Sequence, residues 1–281
     1  MGAPHSGTPE GRYAPVGPTP DQDWQLHYHD LGDGPAVVFL HGSGPGASGW
    51  SNFHANAAVW TKRGYRCILV DTLGYGRSSK PTDVPYSLEV LSGCVLRLLD
   101  HLGLSAVTLV GNSQGGAVAI RTALDQPDRV SRLILMAPGG LEARETYMQM
   151  RGIRSMLRCI YGPEGITAFG MRKVFEKQLF DASLVSDAVV ADRTAVALTQ
   201  PIHVFKTMKV DNQEDRLQEL AMPVLGLWGV NDVFCPVSGA MKLATRVPNA
   251  QVILLSQCGH WVMVEHADTF NRACLDFLGS T

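Results

Sequence analysis

The sequence predicts an α/β fold: a mostly parallel sheet with helices on both faces and an inserted helical cap. Short apolar runs alternate with segments of helical periodicity, which is typical of parallel strands buried on both faces. This alternation stops between residues 141 and 220, where only helical patterns occur, and then resumes. Near the middle of the chain, the stretch Gly111-Asn112-Ser113-Gln114-Gly115 connects a strand pattern to an Ala-rich helix pattern.

The elements follow from these patterns in chain order. Strands are predicted where short apolar or alternating runs are followed by loop segments, at residues 24–30, 36–40, 67–70, 107–110, 130–136, 223–229 and 252–255. The first of them alternates between apolar and polar residues, which indicates an edge strand. Helices are predicted at residues 50–63, 88–102, 239–245 and 269–278, and a further helix follows Ser113. A strand-helix order of this kind indicates a parallel sheet covered on both sides.

The same patterns divide the chain into three parts. Residues 1–22 are rich in Pro and Gly and lack the apolar core of a signal peptide, so we expect a disordered tail. Residues 23–140 and 221–281 form the predicted α/β core. Residues 141–220 form the predicted helical cap, and its methionines are expected to fill gaps in the packing or to line an adaptable apolar pocket.

Composition excludes several functional classes. The 281 residues are 45% hydrophobic and 18% charged, with a formal net charge of −2, so no basic surface is expected to attract nucleic acid or an anionic membrane. No apolar run approaches the roughly 20 residues that span a bilayer. The six cysteines form no C-x-x-C pair, which favours free thiols and a cytoplasmic location.

Ser113 is the predicted nucleophile. Glycines on both sides of it suit a crowded turn at the end of a strand, the G-x-S-x-G pattern that exposes a serine hydroxyl. A serine needs a histidine to take its proton, and that histidine needs an acid to fix its tautomer. Asp232 and His260 each follow a later strand, in the order expected for such a sheet. Asp71 also ends a strand and is the rival acid, but it precedes the nucleophile.

Six other histidines fit the role of base less well, because they lie in the predicted tail, on the edge strand, in or near helices, or in the cap: His5, His27, His29, His54, His101 and His203. A developing oxyanion also needs hydrogen-bond donors. The backbone N–H of Gln114, at the positive end of its helix, supplies one predicted donor. The glycine-rich loop after the strand at 36–40 supplies the other, at Ser43.

Four longer motifs carry a resemblance to a known family. They are His41-Gly-Ser-Gly-Pro-Gly-Ala with Trp50-Ser-Asn52, Gly111-Asn-Ser113-x-Gly-Gly, Trp228-Gly-x-x-Asp232, and Cys258-Gly-His260-Trp261 with Glu265 beyond. Over residues 24–279 the chain resembles the α/β-hydrolases, and within them the carbon–carbon bond hydrolases that act on meta-cleavage products of aromatic compounds. Ordinary esterases of this fold usually lack counterparts of Asn112 and Trp261.

The resemblance implies a polar subsite for the dienoate end of the substrate. Its residues would be Gly42, Asn52, Asn112, Trp261 and a cap arginine. Arg193 is the match for this arginine, since a planar guanidinium binds a carboxylate through two hydrogen bonds. Other arginines of the cap remain alternatives: Arg144, Arg151, Arg154, Arg158 and Arg172.

The implied reaction is hydrolysis of the C5–C6 bond of an anionic 2-hydroxy-6-oxohexa-2,4-dienoate, without metal or cofactor, in a homodimer or larger homo-oligomer. The substituent at C6 is left open, and so is the choice between an acyl-enzyme and direct attack by water. Two alternative functions require fewer of these residues. A carboxylesterase or lipase requires only the triad and the oxyanion donors, and a non-catalytic receptor requires only the fold. Ser113 excludes haloalkane dehalogenases and epoxide hydrolases of this fold, because these use an aspartate nucleophile.

Overall fold

A computed structural model describes residues 8–279 and confirms the predicted fold class. One eight-stranded sheet has the order β1-β2-β4-β3-β5-β6-β7-β8. Its strands are β1 (Arg12–Pro15), β2 (Gln25–Leu31), β3 (Ala36–Leu40), β4 (Arg66–Val70), β5 (Val107–Asn112), β6 (Val130–Met136), β7 (Val224–Gly229) and β8 (Ala250–Leu255). The pairs β1–β2 and β2–β4 are antiparallel, and all other pairs are parallel.

Helices cover the sheet and form the segment between β6 and β7. They are α1 (Gly49–Thr61), α2 (Leu88–His101), α3 (Gln114–Asp125), α4 (Arg144–Gln149), α5 (Arg151–Tyr161), α6 (Ala168–Gln178), α7 (Asp187–Ala197), α8 (Ile202–Thr207), α9 (Ser238–Arg246), α10 (Val262–Glu265) and α11 (Ala267–Gly279). Because neighbouring side chains of a strand point to opposite faces, the burial of every residue from Val37 to Leu40 shows that both faces of β3 are covered. Among residues 8–279, no helix is both long and apolar enough to cross a bilayer.

The prediction of a disordered tail over residues 1–22 is wrong at Arg12–Pro15, which form β1, while residues 1–7 lie outside the described part. Ala14 is fully buried opposite Leu26 of β2. Pro15 is tolerated because it ends a strand at the edge of the sheet, where its missing N–H breaks no inner ladder. The strand predicted at 24–30 is therefore not the edge of the sheet, because β1 covers it.

The cap is inserted without interrupting the sheet. β6 pairs directly with β7, from Leu133 opposite Val224 to Met136 opposite Leu227. Between these two strands the described chain contains helices α4 to α8 and no strand. Insertions of this kind lie beyond the carboxyl ends of parallel strands, where α/β folds bind their ligands.

The turn from β5 to α3 places Ser113 in a strained backbone conformation, with φ 56° and ψ −118°. Close packing explains the glycines around it. A Cβ at Gly115 would lie 2.1 Å from the carbonyl oxygen of Leu40, and one at Gly111 would lie 2.5 Å from the carbonyl oxygen of Gly115. The turn is therefore possible only with glycine at these two positions.

His41 fixes the loop that follows β3. Thr72 N–H donates to His41 Nε2 at 3.1 Å, so the proton of the neutral ring is on Nδ1, which donates to the Gly42 carbonyl at 2.8 Å. The ring is fully buried, and burial lowers the pKa of His41 to about 4. The imidazole therefore stays neutral at pH 7 and serves as a structural link between the ends of β3 and β4.

Glu265 links the cap to the loop that follows β8. Its carboxylate accepts hydrogen bonds from the backbone N–H groups of Gly259 at 2.5 Å, Phe180 at 2.5 Å and Asp181 at 3.0 Å. One side chain thus holds the residues after α6 against the turn before His260.

We expect Glu265→Ala to lower the free energy of unfolding by about 1–3 kcal/mol, because three backbone donors lose a charged acceptor. Urea denaturation measures the change. The control Glu219→Ala removes an exposed carboxylate that pairs with Arg216, and should cost at most about 0.5 kcal/mol. Equal losses in the two variants would contradict the proposed link.

His41 should make stability depend on pH. Its pKa falls from the ordinary 6.5 to about 4 on folding. Between pH 6.5 and about 4, His41 is therefore protonated in the unfolded chain but neutral in the folded protein. The contribution of neutral His41 to the free energy of unfolding is complete above pH 6.5. It is lost as the pH falls to about 4, and the free energy of unfolding then changes by at most about 1.4 kcal/mol per pH unit.

We therefore expect His41→Asn to flatten the decline of the unfolding free energy between pH 6.5 and 4, measured by denaturant titration at several pH values. His54→Asn, at an exposed histidine of α1, should leave the slope unchanged. A wild-type slope in the His41 variant would show that other groups cause the acid sensitivity.

Candidate active site

A cavity lies between the cap and the carboxyl ends of the parallel strands, with about 340 Å³ of empty space. The core contributes residues after β3, β5, β7 and β8, and the cap contributes residues of α5, α6 and α7. The lining consists of Gly42, Ser43, Gly44, Asn52, Asn112, Ser113, Ile153, Met156, Gln178, Arg193, Phe234, His260 and Trp261.

Ser113 stands at the centre of this cavity on a rigid backbone. Its N–H donates to the Met136 carbonyl at 3.0 Å, and its own carbonyl accepts from Gly139 at 2.9 Å and Ala117 at 3.1 Å. These bonds hold the strained turn from both sides. The hydroxyl is therefore presented at a fixed point above the sheet.

His260 and Asp232 form a buried pair. The His260 Nδ1 and Asp232 Oδ2 atoms are 2.6 Å apart. The other carboxylate oxygen accepts from the backbone N–H groups of Phe234 at 2.7 Å and Cys235 at 3.0 Å. The Phe234 ring stacks on the imidazole with centroids 5.1 Å apart. The carboxylate thus accepts the hydrogen bond of the Nδ1 proton and leaves Nε2 as the nitrogen available for chemistry.

The main chain of His260 is held by two other parts of the cavity wall. Its N–H donates to the Gln178 carbonyl at 2.7 Å, and its carbonyl accepts from Asn112 Nδ2 at 3.3 Å. Asn112 Nδ2 also donates to the Met136 carbonyl at 3.2 Å. The amide beside Ser113 therefore connects directly to the loop that carries His260.

The Ser113 hydroxyl interacts with the Cys235 thiol, and among residues 8–279 it makes no hydrogen bond to His260. Burial raises the pKa of Cys235 well above its usual range, the Asp232 charge adds to this, and the hydrogen bond with Ser113 acts in the opposite direction. Cys235 is therefore a neutral thiol. Catalytic hydrogen bonds are often loose in ligand-free structures, and both Ser113 and His260 line the same cavity.

Asp71, the rival acid, pairs with a different histidine. Its Oδ2 lies 2.9 Å from His27 Nδ1, and its carboxylate also accepts from the backbone N–H groups of Gly49 and Arg77. Burial acts to raise the pKa of Asp71, but the hydrogen bond and charge of His27 lower it below its ordinary value. Asp71 therefore stabilises loops outside the cavity.

The two predicted oxyanion donors lie beside Ser113. Gln114 is the first residue of α3, so its N–H has no acceptor within the helix. Its side-chain amide is buried without a partner and is not part of the cavity wall. Ser43 lines the cavity, and the adjacent Gly42 approaches so closely that a Cβ there would lie 3.1 Å from the Ser113 Cβ.

Arg193 is a buried cation that faces the cavity. It is 4% exposed, and no Asp or Glu of residues 8–279 pairs with it. One nitrogen donates to Asn52 Oδ1 at 3.1 Å, while Nε has no partner among these residues. The guanidinium lies over the rings of Trp261, at 4.8 Å, and Phe175, at 5.2 Å. Burial lowers the pKa of Arg193 to about 9, which leaves it charged at neutral pH but poorly compensated.

The other cap arginines do not reach the cavity. Arg172 binds Asp187 and the Val185 carbonyl. The other four are exposed to solvent: Arg144, Arg151, Arg154 and Arg158. Only Arg193, of the six candidates, belongs to the cavity wall. Of these arginines, Arg193 alone can contact a ligand in the cavity, and its role in binding a carboxylate stays a prediction.

Sequence reasoning missed two polar or aromatic residues of the wall, Phe234 and Gln178, and also Phe175, which packs on the Arg193 guanidinium. Phe234 follows Asp232 by two residues, and Gln178 and Phe175 lie on one face of α6, but no motif marks any of them. Within residues 8–279, no group of three or more His, Cys, Asp or Glu side chains could hold a metal ion.

Comparison with known proteins agrees with this architecture. Residues 35–155 match a family described as alpha/beta hydrolase fold. The chain is 39% identical over 267 residues to the 2-hydroxy-6-oxononadienedioate/2-hydroxy-6-oxononatrienedioate hydrolase of Comamonas testosteroni, covering 92% of both chains. It is 38% identical to the 2-hydroxy-6-oxo-6-phenylhexa-2,4-dienoate hydrolase of Burkholderia cepacia, again with 92% of both chains covered.

A solved structure gives the same result in three dimensions. The meta-cleavage product hydrolase from Pseudomonas fluorescens IP01, solved as a serine-to-alanine mutant complexed with acetates, superposes with a TM-score of 0.84 at 27% identity, covering 95% of this chain and 97% of that one. These likenesses span the sheet, the cap and the cavity, and they confirm the resemblance found in the motifs. The chain belongs to the meta-cleavage product hydrolases, the 2-hydroxy-6-oxodienoate hydrolases of the α/β-hydrolase fold.

Proposed function

We propose that this protein hydrolyses the C5–C6 bond of a 2-hydroxy-6-oxohexa-2,4-dienoate, giving 2-hydroxypenta-2,4-dienoate and a carboxylic acid. The observation that carries the proposal is the uncompensated Arg193 cation in the same cavity as Ser113 and His260. A buried charge without a partner is unfavourable, so the cavity should favour an anionic ligand. The relatives named for dienoate hydrolysis support the same substrate class.

The substrate carboxylate would bind at the Arg193 end of the cavity. The guanidinium offers two parallel donors to a carboxylate, and Asn52 already orients one of its nitrogens at 3.1 Å. Trp261 and Phe175, whose ring centroids are 5.8 Å apart, both pack against the guanidinium and restrict its orientation. Asn112 and the backbone of Gly42 border the path from this subsite to Ser113. A dienoate chain would therefore extend from Arg193 toward the nucleophile.

The 6-oxo group would lie between the N–H groups of Ser43 and Gln114. Neither N–H is needed by a regular element, and α3 adds the positive end of its dipole. As negative charge builds on the oxygen at C6, these donors would stabilise it. Losing one such donor typically costs about 3 kcal/mol of activation free energy.

His260 would move the protons in two stages. The 2-hydroxyl gives up its proton while C5 gains one, which turns the enol into a ketone. The proton of the Ser113 hydroxyl, or of a water that this hydroxyl holds and activates, then passes to Nε2. The Ser113 oxygen or that water adds to C6, the C5–C6 bond breaks, and its electron pair is delocalised into the departing dienolate, which takes the proton back from Nε2. On the serine route a water then hydrolyses the acyl-enzyme, which releases the carboxylic acid and restores the Ser113 hydroxyl. Asp232 stabilises the imidazolium throughout.

The protein would work as a cytoplasmic homodimer or larger homo-oligomer. Six buried free cysteines are compatible with a reducing compartment. Strand β8 supports self-association, since it ends the sheet and exposes 47% of Leu254. Light scattering coupled to gel filtration measures the assembly directly.

Ser113→Ala should reduce turnover of a yellow ring-fission product by about 1000-fold or more, because both routes at C6 need the hydroxyl. Loss of visible absorbance measures the rate. The exposed Ser105→Ala variant should keep wild-type activity. A wild-type rate in Ser113→Ala would refute the mechanism.

Arg193→Leu should reduce kcat/KM for the dienoate by about 30- to 1000-fold, since a buried charge-assisted pair is worth about 2–4 kcal/mol. Hydrolysis of p-nitrophenyl acetate, which has no carboxylate, should change by less than about threefold. The control Arg154→Leu, on the exposed face of α5, should affect neither substrate.

The same comparison separates the two enzyme classes. Equal losses on both substrates would remove the carboxylate subsite from the proposal. A wild-type preference for the ester by several orders of magnitude would favour a carboxylesterase.

A further inference from the structure

The side chain of Gln178 is a polar group in the cavity wall without an assigned partner. It is 4% exposed, and its Oε1 makes no hydrogen bond with any part of residues 8–279. Gln178 nevertheless lines the same cavity as Ser113 and His260. Buried amides normally have their hydrogen bonds satisfied, so an unpaired one facing a ligand cavity indicates a partner on the ligand.

The amide cannot easily withdraw from the cavity, because the Gln178 backbone is fixed. Its carbonyl accepts from the N–H groups of His260 at 2.7 Å and Trp261 at 3.3 Å. A Cβ at Gly259 would lie 2.6 Å from the same oxygen, so the two segments are in close contact. Glu265 holds the next residues through the backbone of Phe180 and Asp181.

The position of Gln178 along α6 places it at the C6 end of the proposed substrate. Phe175, one turn earlier, covers the guanidinium that would bind the C1 carboxylate. Gln178 lies about 5 Å further along the same face, where its carbonyl meets His260. In the proposed function, His260 and Ser113 act at C6. The amide itself lies beside the loop that carries Ser43, since a Cβ at Gly44 would lie 3.8 Å from Gln178 Nε2. Because Ser43 is the proposed donor to the 6-oxo group, the Gln178 amide faces C6 and its substituent rather than the carboxylate.

The remaining wall near C6 is apolar. α5 and α6 are joined by a short loop and pack side by side, which brings the end of α6 back beside the start of α5. There Ile153 lines the cavity together with Phe234, and Gly152 packs against the Phe234 ring. This surface suits a hydrocarbon or aryl group with one polar function that Gln178 can reach.

We propose that Gln178 determines specificity for a C6 substituent that carries a hydroxyl group, such as a hydroxyphenyl ring. This inference rests on the proposed function. A hydroxyl can donate to Oε1 and accept from Nε2, so it satisfies both halves of the amide. A plain phenyl group would exclude water and leave the amide unpaired. A second carboxylate would find no partner cation, because Arg193 is the one Lys or Arg side chain in the described wall.

The test uses dienoates with three kinds of C6 substituent: phenyl, hydroxyphenyl as its ortho, meta and para isomers, and carboxyethyl. Extradiol cleavage of the matching catechols supplies each substrate. We expect the wild-type kcat/KM for the best hydroxyphenyl isomer to exceed that for phenyl by about tenfold or more, since a polar site rejects an analogue that lacks its hydrogen-bonding group.

Gln178→Leu has nearly the same volume without the amide, and it should bring this ratio close to one. A ratio of two kcat/KM values does not depend on the fraction of folded enzyme. The control Gln149→Leu makes the same substitution at an exposed residue of α4 outside the cavity wall, and it should leave the ratio within about twofold of wild type.

Each other outcome overturns the inference in a recognisable way. A wild-type preference for phenyl, or a hydroxyphenyl ratio that Gln178→Leu leaves unchanged, refutes the role of the amide. A preference for carboxyethyl over every hydroxyphenyl isomer refutes the hydroxyl assignment. Turnover without any C6 preference refutes only this inference, whereas no turnover of any dienoate refutes the proposed function with it.

Discussion

The strained backbone at Ser113 is the constraint around which the site is organised. A serine at φ 56° and ψ −118° costs about 1–3 kcal/mol, and it persists only where its surroundings enforce it. The enforcement comes from Met136 and Gly139 at the end of β6 and from glycines with no room for a Cβ. The strain places a hydroxyl where the loops after β3, β7 and β8 converge, and this convergence follows from parallel strands that end at one edge.

The cap completes this edge through contacts with the catalytic loops themselves. The Gln178 carbonyl binds the His260 backbone, and Glu265 holds the chain just after α6. Gln200 accepts from Gly46 N–H at 2.7 Å and donates to the Gly74 carbonyl at 3.0 Å, so the loop after β3 is held from the cap as well. Chemistry and substrate selection are therefore coupled physically, because the residues that would contact the substrate also position the base and the oxyanion loop.

Charge is distributed unevenly along the cavity. At one end Arg193 has lost its hydration without gaining an acidic partner among the described residues, and burial lowers its pKa to about 9. At the other end the Asp232 carboxylate is stabilised by hydrogen bonds from His260, Phe234 and Cys235. A ligand with one carboxylate and an uncharged far end fits this arrangement, since it relieves the buried cation and brings no further charge to the nucleophile.

The sequence by itself determined seven of the eight strands and the helical insertion, and it singled out Ser113, Asp232 and His260. These depend on local signals: buried strands read as apolar runs, and functional side chains follow directly where the strands end. The family resemblance matched Arg193, among six arginines of the cap, to the arginine that would bind the substrate carboxylate. Only the structure shows that the other five lie outside the cavity.

Tertiary structure alone decided the remaining features, because they depend on pairing between distant segments. β1 forms in a Pro-rich stretch because Ala14 pairs with Leu26 of β2, and no local sequence pattern predicts this contact. In the sequence, Gln178 does not differ from other polar residues at helix ends. Its burial in the cavity wall follows only from the packing of α5, α6 and the His260 loop around it. The sequence gives the chemical type of each side chain. Only the packing of the chain decides which polar groups are removed from water and which groups they then contact.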